Sequence, residues 1–219
     1  TGLLEHGLKL LRVSVEKSML IIGFTGSNNL VKAARKQAWS IAREHKGVVI
    51  GQQLGKEWYK GRFRTPYLRN TLWDQGYALD TLETAVPWAA VSNTLAAIER
   101  ALKNYLEAKE LHGLVFSHLS HFYPHGASIY TTYMFPLSAD ADETLAHWQI
   151  LKTAASQAIV AQKGTISHQH GVGFDHAPYL SSEKGALGMK VLTDVVHHFD
   201  PQGIMNPGKL LVLDSQETS

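Results

Sequence analysis

The chain has 219 residues, 44% hydrophobic and 18% charged. That length suits one large domain, and a charged share below the usual ~25% points to surface buried against another body. A net charge of +2 is too small to argue for nucleic acid, and the absence of cysteine excludes a disulfide framework, a thiolate nucleophile and a Cys-based zinc site. No apolar run approaches the ~20 residues of a membrane helix.

The opening Thr1-Gly2-Leu3-Leu4-Glu5-His6 shows neither an initiator methionine nor a signal-peptide layout, and reads as part of a longer protein beginning in mid-helix. Leucines at helical spacing over Leu3–Ser14 make residues 1–18 a leading helix or linker. Met19–Phe24 is a short apolar run, predicted as a strand. Gly26-Ser27-Asn28-Asn29 supplies a loop and an N-cap for a helix over Leu30–Lys46, ended by Gly47; Val48-Val49-Ile50 then begins another strand. Gly55–Gly76 is less regular and rich in Trp, Tyr, Phe and Arg. Tyr77–Val86 alternates like a strand, and Pro87-Trp88 opens a helix to about Lys109.

Leu114–Ser117 and Ser128–Phe135 read as strands joined by a His-rich connection. Asp140–Gln162 is a helix whose Asp142 and Glu143 complement its dipole. Gly164–Ser167 is a short strand and Gly185–His198 a last helix. The order predicts an α+β fold, a ferredoxin-like antiparallel sheet with helices on one face, without internal repeats. One domain spans 19–199, followed by a C-terminal segment, 200–219.

Three stretches carry chemistry. Gly61-Arg62-Phe63-Arg64-Thr65-Pro66-Tyr67-Leu68-Arg69 places three arginines among aromatics, a forked donor set for phosphate or carboxylate, or a surface loop bridging nearby acids. Arg69 stands out, because Pro66 and Tyr67 stiffen the segment before it; Arg64 is the second candidate. His118, His121 and His125 invite a metal reading, but a strand period of two and a Pro-Gly turn aim them apart, and no Asp or Glu lies nearby in sequence. No metal is expected there. A polar wall with Tyr130 as proton donor or acceptor is the favoured reading.

The third stretch is Ser167-His168-Gln169-His170-Gly171-Val172-Gly173, two imidazoles flanking an amide in a turn that glycine permits. Such histidines often only hydrogen-bond the backbone, yet convergence with His121 and Tyr130 suggests acid–base chemistry. Gly171-Val172-Gly173 lacks the strand–turn–helix and third glycine of a dinucleotide fingerprint. Asn206-Pro207-Gly208-Lys209 passes for an ordinary turn, and Glu83 for a solvated strand residue.

The shared order of Ile22-Gly23-Phe24, Gly61 to Arg69, Asp80-Thr81-Leu82-Glu83-Thr84-Ala85 with Trp88, His121 to Tyr130, Gly164 to Gly173 and Asp200 to Leu211 resembles the C-terminal half of FAD-linked oxidases of the vanillyl-alcohol oxidase type. Within that group it is most similar to the alkyldihydroxyacetonephosphate (alkylglycerone-phosphate) synthases. The resemblance implies an FAD enzyme whose N-terminal FAD-binding domain lies outside this chain and is its partner, with this part as the cap over the flavin. Terminal segments would pack on that domain, and the part alone would be inert.

The implied reaction replaces the acyl chain of an acyl-dihydroxyacetone phosphate by a fatty alcohol, the flavin acting as an electrophile without net redox change. The resemblance implies Tyr130, His168, His170 and His121 as catalytic groups, Arg69, Arg64 and Gln169 as substrate-binding groups, and Asn206 and Lys209 beside the flavin. It further implies a lipid or hydroxy-acid substrate, a homodimer, and a cytoplasmic setting at the membrane periphery.

Where the synthases carry three consecutive histidines, this chain has His168, Gln169 and His170. Glutamine is no acid or base near neutral pH, so His170 or Tyr130 takes over any proton assigned to the middle position. The rival is an FAD-dependent D-2-hydroxyacid (D-lactate or glycolate) dehydrogenase. Those enzymes resemble a pattern with a metal on two histidines and a glutamate; here Tyr130 and Gln169 stand at two of the three positions, which are poor substitutes. A non-catalytic α+β binding module is the third reading, and the cluster of His121, Tyr130, His168, His170 and Arg69 argues against it.

Overall fold

The computed structural model describes residues 19–211, so the helix expected over Leu3–Ser14 lies outside the described residues. Two compact units divide at Leu68/Arg69. In the first, α1 (Asn28–Glu44) starts where Ser27 Oγ accepts from the Leu30 amide at 3.4 Å, as a Ser N-cap should. Helix α2 (Gln53–Gly61) and a 3-10 turn at Thr65–Tyr67 follow. The predicted strands at Met19–Phe24 and Val48–Ile50 are absent, and the stretch read as irregular is largely helical. Short apolar runs form strands only when a ladder partner is present, and neither run pairs with any described strand.

The second unit begins at Arg69, the second residue of α3 (Leu68–Asp74), and is built on three strands: β1 (Tyr77–Pro87), β2 (Leu114–Tyr123) and β3 (Gly126–Pro136). They form an antiparallel sheet of order β1-β3-β2. A 3-10 turn at Trp88–Ala90 leads into α4 (Val91–Ala108), and α5 (Ala141–Ala161) follows β3. Asp140 caps α5 by accepting from the Asp142 amide at 3.0 Å. Both strands of this hairpin, β2 and β3, are longer than predicted: Pro124 and His125 make a two-residue loop between Tyr123 and Gly126. His118 and His121 therefore sit on β2 itself rather than in a connection.

The segment predicted as a strand at Gly164–Ser167 forms no regular ladder, yet it runs along the free edge of β1. Thr165 N–H donates to Ala85 C=O at 3.2 Å and His168 N–H to Glu83 C=O at 3.0 Å. Counting it as an outer strand gives the order of a split β-α-β-β-α-β unit, so the α+β reading with helices on one face holds. Helix α6 (Gly173–Phe199) starts twelve residues before the helix predicted at Gly185. Gly185, at φ 66° and ψ 174°, breaks it into two pieces, and the sequence signal marked only the second.

Residues four apart on each helix, Ile98, Leu102 and Leu106 on α4 and Leu151, Ala155 and Ile159 on α5, are buried against Leu82, Tyr133 and Phe135 of the sheet. Packed against this core is the half-buried Asp80, whose Oδ2 accepts from Tyr133 OH (3.0 Å), Trp148 Nε1 (2.8 Å) and Lys152 Nζ (3.1 Å). Burial alone would raise the Asp80 carboxyl, but Lys152 and the hydrogen bonds outweigh it and hold it below its ordinary value. The same burial, with the Asp80 charge, drives the Tyr133 phenol strongly upward. Because side chains alternate along a strand, Glu83 points away from this core, to the face that neither α4 nor α5 covers.

Candidate active site

Glu83 is the centre of that open face. Its cross-strand partner on β3 is Tyr130, which is in turn paired with His118 on β2, so the three share one face. An irregularity between Leu119 and Phe122 breaks the β2 ladder and brings Ser120 and His121 toward the carboxylate. The Ser120 hydroxyl donates to Glu83 Oε1 and lies 2.7 Å from Ser128 Oγ, which accepts from the His121 amide at 2.9 Å. Three imidazoles complete the ring: His121 Nδ1 at 3.3 Å and His168 Nδ1 at 3.2 Å from Oε1, and His170 Nε2 at 3.5 Å from Oε2.

Glu83 is only 4% exposed, so the reading of a solvated strand residue is corrected. No acid lies near the histidines along the chain, but Glu83 meets them across the sheet. Burial would raise the Glu83 carboxyl, but hydrogen bonds from Ser120, Ser128, His121 and His168 more than offset it, and the group stays an anion at neutral pH.

The predicted residues fall into separate places. Tyr130, His121, His168 and His170 converge: Tyr130 meets the His170 ring edge-on at 5.3 Å and stacks on His118 at 5.2 Å. Gln169 between them is exposed and adopts φ 61°, which turns the chain so that both flanking imidazoles reach the same carboxylate. The loop is pinned at its far end by Ser167 Oγ donating to Gly171 C=O at 2.6 Å, and by buried His176, whose Nδ1 lies 3.0 Å from Val172 C=O.

Arg69 is not among the side chains that meet Glu83. It lines a cavity of about 450 Å³ walled by Trp73, Phe135, Trp148 and Asp175, next to Asp80. Arg64 belongs to the first unit, where it is exposed and its amide donates to Gly61 C=O. Asn206 is exposed at φ 52° in a turn held by Asp200, which accepts from the Ile204 and Met205 amides. Lys209 places its ammonium 3.0 Å from the centre of the Phe174 ring, so the C-terminal turn folds against the start of α6, beside the histidine loop.

Sequence reasoning missed Glu83, Ser120, Ser128, Tyr123 and Glu183. Tyr123 OH lies 2.9 Å from His168 Nε2. Glu183 accepts from the Ile166 amide at 2.8 Å and from Thr165 Oγ1 at 3.1 Å, and so holds the histidine loop against β1. An acid in the middle of a strand between Leu82 and Thr84 was the available signal for Glu83.

Chemically, one carboxylate among three imidazoles and two phenols can relay protons. Ligand atoms of Glu83, His121 and His168 also lie within 4.8 Å of one another, close enough to share a cation.

Residues 5–210 match the model of the FAD linked oxidases, C-terminal domain, and the chain belongs to that family. It is 26% identical over 199 residues to the alkyldihydroxyacetonephosphate synthase of Dictyostelium discoideum, covering 91% of this chain and 32% of that protein. The synthase of Trypanosoma brucei brucei is 24% identical, covering 89% of this chain and 31% of its own length. A D-2-hydroxyglutarate dehydrogenase of Stutzerimonas stutzeri matches less of it, 26% identity over 134 residues, 58% of this chain and 28% of that one. A solved alkyldihydroxyacetonephosphate synthase structure superposes with TM-score 0.56 at 19% identity, over 84% of this chain and 30% of that one, which shows a shared fold. The chain spans about a third of the length of these synthases.

Proposed function

We propose that this chain is the C-terminal cap part of an FAD-dependent enzyme of the alkyldihydroxyacetonephosphate synthase kind, exchanging the acyl chain of an acyl-dihydroxyacetone phosphate for a fatty alcohol. The observation that carries the reading is the convergence of Tyr130, His121, His168 and His170 on the buried Glu83 carboxylate. Such a set moves a proton at the substrate carbon and at the leaving and entering oxygens. Both curated synthases match about nine-tenths of the chain, whereas the dehydrogenase matches just over half.

FAD fits the residues present in part. The exposed Asn206 amide and the Lys209 ammonium, on a turn folded beside the histidine loop, offer hydrogen-bond donors suited to the polar edge of an isoalloxazine. Bound there, the flavin supplies an electrophilic centre. This chain's own residues do the rest: Tyr130 takes and returns the substrate proton, and the histidines orient the substrate and accept the displaced proton. Arg69 is given no part in this step, because its cavity lies beside Asp80 on the opposite face of the sheet, and Gln169 contributes hydrogen bonds rather than acid–base chemistry.

The test is to incubate the full-length, flavin-loaded protein without oxygen, once with palmitoyl-dihydroxyacetone phosphate plus a fatty alcohol and once with D-lactate. Alcohol-dependent release of palmitate supports the synthase reading. Flavin bleaching by D-lactate, without acyl exchange, overturns it in favour of the dehydrogenase.

A further inference from the structure

We infer that Tyr123, His168 and Glu83 form a proton relay in which Tyr123 is a second reactive phenol of the site, besides Tyr130. The inference rests on the reading above that the site moves a substrate proton. Its geometry is a hydroxyl–imidazole–carboxylate line: Tyr123 OH is 2.9 Å from His168 Nε2, and His168 Nδ1 is 3.2 Å from Glu83 Oε1. The Nδ1 atom is buried and the Glu83 carboxylate is the acceptor beside it, in a contact that is short rather than well aligned. A carboxylate on the Nδ1 side favours the tautomer with its proton on Nδ1, which leaves Nε2 as the acceptor for the phenol.

Tyr123 is placed for this work by the fold. It is the last residue of β2, opposite Gly126 across the hairpin, and Trp88 Nε1 donates to its carbonyl at 3.1 Å. An ideal Cβ on Gly126 would come within 2.3 Å of Val86 C=O, so this end of the sheet closes only around glycine. Tyr123 is 37% exposed and borders a cavity of about 220 Å³ lined by Ala85, Pro87 and His125, while its hydroxyl meets His168. Tyr130 differs: its ring packs against those of His118 and His170.

The step balances as a proton transfer. A substrate proton other than the one Tyr130 exchanges passes to the Tyr123 oxygen as the phenol's own proton crosses to His168 Nε2. The substrate is left as an anion and His168 as an imidazolium beside the Glu83 carboxylate. No electrons leave the three residues, and the reverse transfer restores them. Glu83 acts through His168 and is a positioning residue.

The full-length protein, labelled with ¹⁵N-histidine, tests the relay without any substrate. Long-range ¹H–¹⁵N spectra should show His168 with its proton on Nδ1, and Glu83→Gln should populate the Nε2–H form. A wild-type His168 already protonated on Nε2, or one unmoved by Glu83→Gln, overturns the relay. In the acyl-exchange assay, Tyr123→Phe should lower kcat about 100-fold with little change in KM. The double variant Glu83→Gln/Tyr123→Phe should be no slower than Tyr123→Phe alone. Losses that multiply overturn the inference. If the wild-type protein exchanges no acyl chain, the proposed function falls, and the tautomer spectra still decide the relay.

Discussion

His168 is tied to Glu83 twice, once through the backbone and once through the side chain. Its amide donates to the Glu83 carbonyl at 3.0 Å while its Nδ1 sits 3.2 Å from the carboxylate. The same edge contact that docks the loop on β1 thus sets the imidazole beside the acid. Loop position and site electrostatics are one structural fact, and substitutions of Glu83 should separate them. Glu83→Gln preserves shape and removes charge, and turnover should fall about 100-fold with melting temperature changed by only a few degrees. Glu83→Leu leaves Ser120 and the imidazoles without an acceptor and should destabilise by ~1–3 kcal/mol in denaturant titration. Full turnover in Glu83→Gln would remove the carboxylate from the chemistry.

The pH dependence of folding follows from two depressed carboxyls. Glu83 and Asp80 both have folded values below their ordinary ones, so the unfolded chain binds their protons first as pH falls. Their contribution is complete above about pH 5 and is lost as pH drops through the folded values. Melting temperature should be flat from pH 7 to 5 and decline below that. Glu83→Gln should shallow the decline, and an unchanged slope would show that Glu83 is not held below its ordinary value.

Much of the fold could be read from the chain because its signals are local. Alternation marked β1, Asp142 and Glu143 in the first turn marked α5, apolar residues at three and four marked α1, and Pro87-Trp88 marked the start of α4. The site was half legible, since clustered histidines and Tyr130 drew notice by residue type. Glu83 did not, because its partners are 37 to 87 residues away in sequence and only the β1–β3 register and the loop on the β1 edge bring them together. Arg69 looked like part of the same site, yet it sits by Asp80, which alternation turns to the opposite face from Glu83.

The Asp80–Lys152 pair should matter for stability rather than turnover. Lys152 is 8% exposed and donates to both Asp80 Oδ2 and Thr81 C=O at 3.1 Å. Removing one partner strands the other, so Asp80→Asn or Lys152→Met should each cost ~3–5 kcal/mol by denaturant titration. Asp80→Asn/Lys152→Met together should cost clearly less than the sum of the two. Additive losses would mean the charges do not interact.

Tyr130→Phe removes only the hydroxyl and leaves the ring against His118 and His170, so the fold should be untouched. Turnover should fall by ~10²–10⁴ if the phenol exchanges the substrate proton. Undiminished turnover, measured beside Tyr123→Phe, would pass that role to the other phenol.

Glu183 stands behind the histidine loop, outside the ring of side chains that meet Glu83. Its Oε2 takes the Ile166 amide and the Thr165 hydroxyl, and its other oxygen pairs with Lys184 at 2.6 Å. Gly185 then breaks the helix, so the anchor sits at the end of a rigid piece rather than in the middle of one. Glu183→Ala leaves the Ile166 amide without a partner and frees the loop between β1 and α6. Turnover should drop about tenfold or more, and the amides of 165–170 should exchange faster with deuterium while those of α4 and α5 do not change. Glu183→Gln keeps an acceptor oxygen for the same amide and should retain most activity. Equal losses in the two variants would show that the charge, rather than the acceptor, holds the loop in place.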